Sequence, residues 1–118
     1  MSESDLQTAL LLRAPIVLPD LRLFRRNVGV ARAASGNMIR FGLKGLPDLY
    51  GIWKGGQYIE VELKAARGKL RPEQAAYAEW CRQWGVTHLT LQALPGATED
   101  ETIALWLDVL RVTRRGAG

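Results

Sequence analysis

Cysteine and histidine are nearly missing from this 118-residue chain, which has one of each, Cys81 and His88. A single thiol excludes an internal disulfide and a Cys-rich zinc site. A single imidazole excludes a multi-His metal centre within one chain, and a Ser-His-Asp triad would have to rest on His88. No apolar run approaches the roughly 20 residues a transmembrane helix needs. The first residues, Met1-Ser2-Glu3-Ser4-Asp5, are acidic and lack the basic start of a secretory signal. These absences lead us to expect a reduced, cytoplasmic setting and no membrane partner. Repeats, linkers and low-complexity stretches are also missing.

What is present suits one domain of ordinary size. Hydrophobic residues make up 47% of the chain, enough for a core that needs no crosslinks. The net charge is +4, unevenly spread. Residues 13–44 hold seven basic side chains against the single acid Asp20, whereas residues 45–118 are balanced. A basic first third suits a polyanionic partner; the plainer reading is a solvated cationic surface.

The elements read in order as follows. Residues 3–14 form a helix ended by Pro15, and Pro19-Asp20 is a turn. Residues 22–28 form a strand. Residues 29–46, with four glycines, read as a long basic loop. Asp48–Trp53 and Gln57–Lys64 are strands joined by a Lys54-Gly55-Gly56 turn. Pro72 opens a helix to Trp84, residues 87–92 form a strand, and a Thr98/Glu101 capping box opens a last helix to Val112. The fold class expected is a single α/β domain over residues 1–113, a mixed central sheet flanked by helices in the order α-β-β-β-α-β-α. Residues 114–118 read as a disordered basic tail.

In the strand 57–64, Ile59, Val61 and Leu63 face one way, and Tyr58, Glu60, Glu62 and Lys64 the other. The bland explanation is one face in water, where Glu and Lys solvate. Its context argues otherwise. Asp48 opens the partner strand, with thirteen residues between it and Glu62. If the two ends meet, two hard oxygen ligands converge, the donor set that Mg²⁺ or Mn²⁺ prefers. Lys64 on the same face could orient a water or meet charge on a phosphate.

The pattern Pro47-Asp48 … Glu62-Leu63-Lys64 resembles the PD-(D/E)XK nuclease superfamily. Three longer blocks, Gly45-Leu46-Pro47-Asp48-Leu49, Ile59–Lys64 and Gly68-Lys69-Leu70-Arg71-Pro72-Glu73-Gln74, resemble its VRR-NUC (virus-type replication-repair nuclease) family. Arg26-Asn27-Val28-Gly29 resembles a further block of that family, and the likeness spans roughly residues 3–92. It implies a restriction-endonuclease-like fold and metal-dependent hydrolysis of DNA phosphodiesters. Asp48 and Glu62 would hold Mg²⁺ or Mn²⁺, with the Leu63 carbonyl and Glu3 as further ligands, Asp5 being the competitor of Glu3. Lys64 would position the attacking water, and Gln74 would face the same cleft. Gln74 has a plainer reading as a helix cap. Glu60 is not required by the family pattern, and its role stays open.

Arg25, Arg26, Asn27, Arg32, Arg40, Lys44, Arg67 and Lys69 lie in or beside the blocks and loops flanking that cleft and are expected to meet DNA phosphates without reading sequence. Trp80 and Trp84 fall on one helix face and read as core or interface, Trp106 as an apolar helix face, and His88 as structural. By analogy with junction resolvases, a homodimer acting on branched, flapped or nicked duplex DNA in replication, repair or recombination is expected, in a bacterial or phage-infected cell or on its nucleoid. The competing readings are a catalytically silent DNA-binding module of the same fold and an interaction subunit of a DNA-processing complex.

Overall fold

The computed structural model describes residues 1–26, 29–41 and 44–115, apart from the side chains of 29–32 and 38–41. The elements are α1 (Glu3–Val17), β1 (Leu21–Arg25), β2 (Gly29–Arg32), β3 (Met38–Phe41), β4 (Leu49–Trp53), β5 (Gln57–Lys64), α2 (Pro72–Gln83), β6 (Thr87–Gln92) and α3 (Glu99–Thr113). A four-stranded mixed sheet runs β1-β4-β5-β6, antiparallel except for the parallel β5–β6 pair. The α/β class stands. The order gains two strands, because the stretch read as a loop contains the β2–β3 antiparallel ladder. Its alternation is short, and its glycines masked it. No helix among the described residues is long and apolar enough to cross a membrane.

Two helices cover one face of the sheet. On α1 the buried positions Leu6, Ala9, Leu10 and Ala14 form a helical stripe, and on α3 Ile103, Trp106, Leu107 and Leu110 do the same. They close over Leu21, Leu49, Ile59, Val61, Leu63 and Leu91 of the sheet. Each fully buried aliphatic side chain there contributes ~2 kcal/mol. Pro15 does not end α1. It sits in the last turn, where the bond its N–H would give to the Leu11 carbonyl is lost, yet α1 runs on to Val17 and Leu18 still donates to the Ala14 carbonyl at 2.7 Å. Thr98 and Glu101 do form the expected capping box of α3. At its other end, Arg114 pairs with Asp20 and the Arg115 amide donates to Gln57, so these two residues are docked instead of forming a free tail.

The second face carries α2, the crossover between β5 and β6. Gly45 sets where α2 meets the chain entering β4. Its φ is +93°, and a Cβ there would lie 2.4 Å from the Glu73 backbone oxygen. Replacing it with Ala therefore strains both backbone and packing. Gly45→Ala is expected to lower the free energy of unfolding by about 2 kcal/mol or more, measured by denaturant titration; an unchanged midpoint would show that this contact is not tight.

Candidate functional site

The site begins with strand register. Leu49 pairs with Val61, so Asp48, one residue before β4, comes level with Glu62 on the face that carries α2. Pro47, just before Asp48, is buried. The Leu63 amide donates to Asp48 Oδ2 at 3.1 Å and fixes that carboxylate. That amide contact is what the structure assigns to Leu63, whose carbonyl the resemblance makes a ligand.

The polar face of β5 is not a solvated face. Glu60 is 0% exposed, Glu62 2% and Lys64 8%. Burial of three ionisable groups on one strand needs compensation, and only part of it is present. Gln74, itself buried, donates from Nε2 to Glu62 Oε1 at 3.2 Å and accepts the Arg71 amide at 2.8 Å. Gln74 therefore caps α2 and touches Glu62 at once. Lys64 Nζ lies 4.0 Å from Glu62 Oε1. Glu62 Oε2 has no hydrogen-bond partner.

From the first turn of α1, where Ser2 caps the helix by accepting the Asp5 amide, Glu3 reaches the same place. One carboxylate oxygen from each of Glu3, Asp48 and Glu62 lies within 4.8 Å of the other two; Asp5 is not in the group. Three acidic groups this close repel one another unless a proton or a cation intervenes. Burial pushes Glu62 up to about 8, the Asp48 carboxylate beside it adds to the rise, and Lys64 works against it. An orphaned buried oxygen and hard carboxylate donors fit a divalent ion of the Mg²⁺ or Mn²⁺ type.

The basic residues divide. Arg67 and Lys69 are exposed and line, with Lys64, Thr90 and Gln92, an open depression of about 470 Å³; of the site residues it shares Lys64 alone. Sequence reasoning missed Gln92, which lies opposite Lys64 in the β5–β6 register. Its Nε2 donates to the Gly68 carbonyl at 2.7 Å and to the Ala65 and Ala66 carbonyls at 3.3 Å, holding the basic loop to the sheet. No spacing motif marks it. Arg25 and Lys44 are exposed. Asn27 and the side chains of Arg32 and Arg40 lie outside the described residues. Arg26 departs from expectation: its guanidinium is ion-paired with Glu60 and only 14% exposed, so it is not a free phosphate contact.

The aromatic residues also divide. Trp106 is in the core, donating to the Gln92 carbonyl at 3.2 Å. Trp80 and Trp84 are not core: they are 45% and 71% exposed and stack along α2, Tyr77 on Trp80 and Trp80 on Trp84. A second depression, of about 460 Å³, lies at the far end of the sheet around Phe24, Ile52 and the Gly55-Gly56 turn. Its one acidic side chain, Asp20, is already paired with Arg114.

No protein-family model and no curated protein matches the chain. Among solved structures, the crystal structure of paFAN1 bound to 1-nt 5′-flap DNA with a gap is similar at 29% identity, over 41% of this chain, with a TM-score of 0.39. The match covers 9% of that much longer chain, and at that score the likeness is too partial to assign a fold. The resemblance to the VRR-NUC family is carried by the motif residues alone.

A protonated Glu62 in the folded, metal-free protein gives a directional prediction. Its proton is held to about pH 8, whereas the unfolded chain loses it near 4.5. The folded state thus binds more protons in that window, and its stability falls as pH rises through it. In chelator, the melting temperature of wild type is expected to drop between pH 5 and about 8 more steeply than that of Glu62→Gln. Parallel curves for the two proteins would show that Glu62 titrates normally.

Proposed function

We propose that this chain is a divalent-metal-dependent phosphodiesterase that hydrolyses DNA, working as an endonuclease of the PD-(D/E)XK type. One observation carries the reading: Glu3, Asp48 and Glu62 converge, with the buried Glu62 Oε2 unpartnered and Lys64 beside it. DNA as the substrate is supported by the basic first third of the chain and by the Arg67/Lys69 depression that Lys64 also lines.

In this reading Asp48 and Glu62 hold the ion, with Glu3 completing its shell from α1. A divalent ion bound there supplies Lewis-acid polarisation of the phosphoryl oxygen and neutralises the carboxylates. Lys64, kept in place by its own burial and by Glu62, orients the attacking water and faces the charge that grows on the phosphate. Gln74 holds Glu62 in one rotamer. Arg67 and Lys69 seat the strand by its phosphates, which positions DNA without reading bases. Neither His88 nor Cys81 is needed. The preferred substrates are branched, flapped or nicked DNA, cut by a homodimer; these finer assignments follow the family resemblance.

The test is incubation of the protein with a four-way junction, a flap, a linear duplex and supercoiled plasmid, with Mg²⁺, Mn²⁺ or EDTA. Cleavage is expected with either metal and not with EDTA. Asp48→Asn, Glu62→Gln and Lys64→Ala should each slow it by ~100-fold or more. Metal-dependent cleavage that survives Lys64→Ala undiminished would place the activity elsewhere. DNA binding without cleavage of any substrate would favour the silent module.

A further inference from the structure

The Arg26–Glu60 pair lies outside the three-carboxylate group yet is built as carefully. Glu60 is fully buried, two residues before Glu62 on the same face of β5. Arg26 grips it with both ends of the guanidinium, Nη1 to Oε2 at 2.9 Å and Nη2 to Oε1 at 2.7 Å. Tyr58 donates its hydroxyl to the same carboxylate and accepts from Arg26 Nη2 at 3.1 Å. Tyr50 lies under the guanidinium, 5.2 Å from ring centroid to Arg26 Cζ. The other groups facing Glu60 are Tyr77 from α2 and His88, its register partner on β6. Burial alone would raise Glu60, but the bonds from Arg26 and Tyr58 reverse that and keep it ionised.

The remaining contacts of Arg26 give the pair a use. Its Nη1 also donates to the Pro47 carbonyl at 3.1 Å, and its backbone N–H donates to the Asp48 carbonyl at 2.9 Å. Arg26 thus holds the carbonyls immediately before and after the Asp48 α-carbon. With the Leu63 amide on Oδ2, Asp48 is tied at three points, two of them to one residue. Glu60 in turn keeps the guanidinium from swinging out to solvent or to a phosphate.

We infer that Arg26 and Glu60 form a positioning device that sets the Asp48 carboxylate for the metal ion, rather than a DNA-binding contact. The inference rests on the metal-site reading above. Groups that orient a metal ligand without touching the metal typically change affinity or activity by ~10–100-fold when lost. Arg26 does so here through its Nη1 contact to the Pro47 carbonyl, which is lost with the side chain, whereas its backbone N–H bond to the Asp48 carbonyl continues the β1–β4 pairing and persists.

The test is calorimetric titration of the metal-free protein with Mn²⁺, with thermal melting and cleavage kinetics on the same samples. Arg26→Met combined with Glu60→Leu replaces the pair by apolar groups of similar volume, a change buried ion pairs often tolerate. Glu60→Gln, which keeps shape and loses charge, is the second variant should the first not fold. The double variant is expected to melt near wild type, and Glu60→Gln, which leaves the guanidinium without its counter-charge, at a lower temperature; each is expected to bind Mn²⁺ ~10-fold or more weakly, with kcat reduced and KM for DNA unchanged. Unchanged Mn²⁺ affinity in whichever variant folds would overturn the inference, leaving the pair purely structural. A raised KM for DNA with intact Mn²⁺ affinity would overturn it in favour of phosphate binding. Wild type that binds no Mn²⁺ would overturn the metal-site reading, and this inference with it.

Discussion

The antiparallel register of β4 on β5 places Leu49 opposite Val61, and through it Asp48 level with Glu62. Side chains alternate along a strand, so a slip of one residue would turn Glu62 away from Asp48 and drive Leu63 out of the core. The register is held by the core on one face and by the turn at the end of the hairpin. Leu49, Ile59, Val61 and Leu63 are fully buried beneath α1 and α3. At the other end the Gly55-Gly56 turn, with φ of +106° and +102°, closes the hairpin by the Gly56 amide donating to the Trp53 carbonyl. The hydrophobic core and the turn therefore fix the acidic pair, although neither contains it.

The two charged sites on this face are solved differently. Glu60 receives a bidentate guanidinium and a phenol hydroxyl, and is held ionised. Glu62, two residues further, receives one amide hydrogen bond from Gln74 and a distant ammonium, keeps one oxygen without a partner, and is pushed up to about 8. A fold that supplies a guanidinium to one buried carboxylate and leaves the next short of partners concentrates its electrostatic conflict at Glu62. Such local conflict is where function is expected. The carboxylates of Asp48 and Glu3 deepen that conflict, and a divalent cation relieves it.

Much of this was legible in the sequence where the signal is local. The hairpin followed from Gly-Gly between β-rich runs, α3 from its capping box, and the pairing of Asp48 with Glu62 from a short turn with matched strands. Signals that depend on distant parts of the chain were not legible. Alternation along β5 reads equally as a solvated face; its partners come from distant parts of the chain, Gln74 of α2 on Glu62 and Arg26 on Glu60. Arg26 and Glu60 are 34 residues apart, and a lone arginine in a basic stretch looks like a phosphate contact. Pro15 reads as a stop because proline breaks helix interiors, yet α1 runs through it to Val17. Trp80 and Trp84 share a helix face, but the sheet is met by Gln74 and Cys81 of α2 and not by that face.

The central claim is that Glu62 carries a proton that a divalent ion replaces. The direct measurement is the number of protons released when Mn²⁺ binds near pH 7, read by calorimetry in buffers of different ionisation enthalpy. The account predicts close to one proton released per ion bound by wild type, and none released by Glu62→Gln. Binding to wild type with no proton released, or no binding, would contradict it.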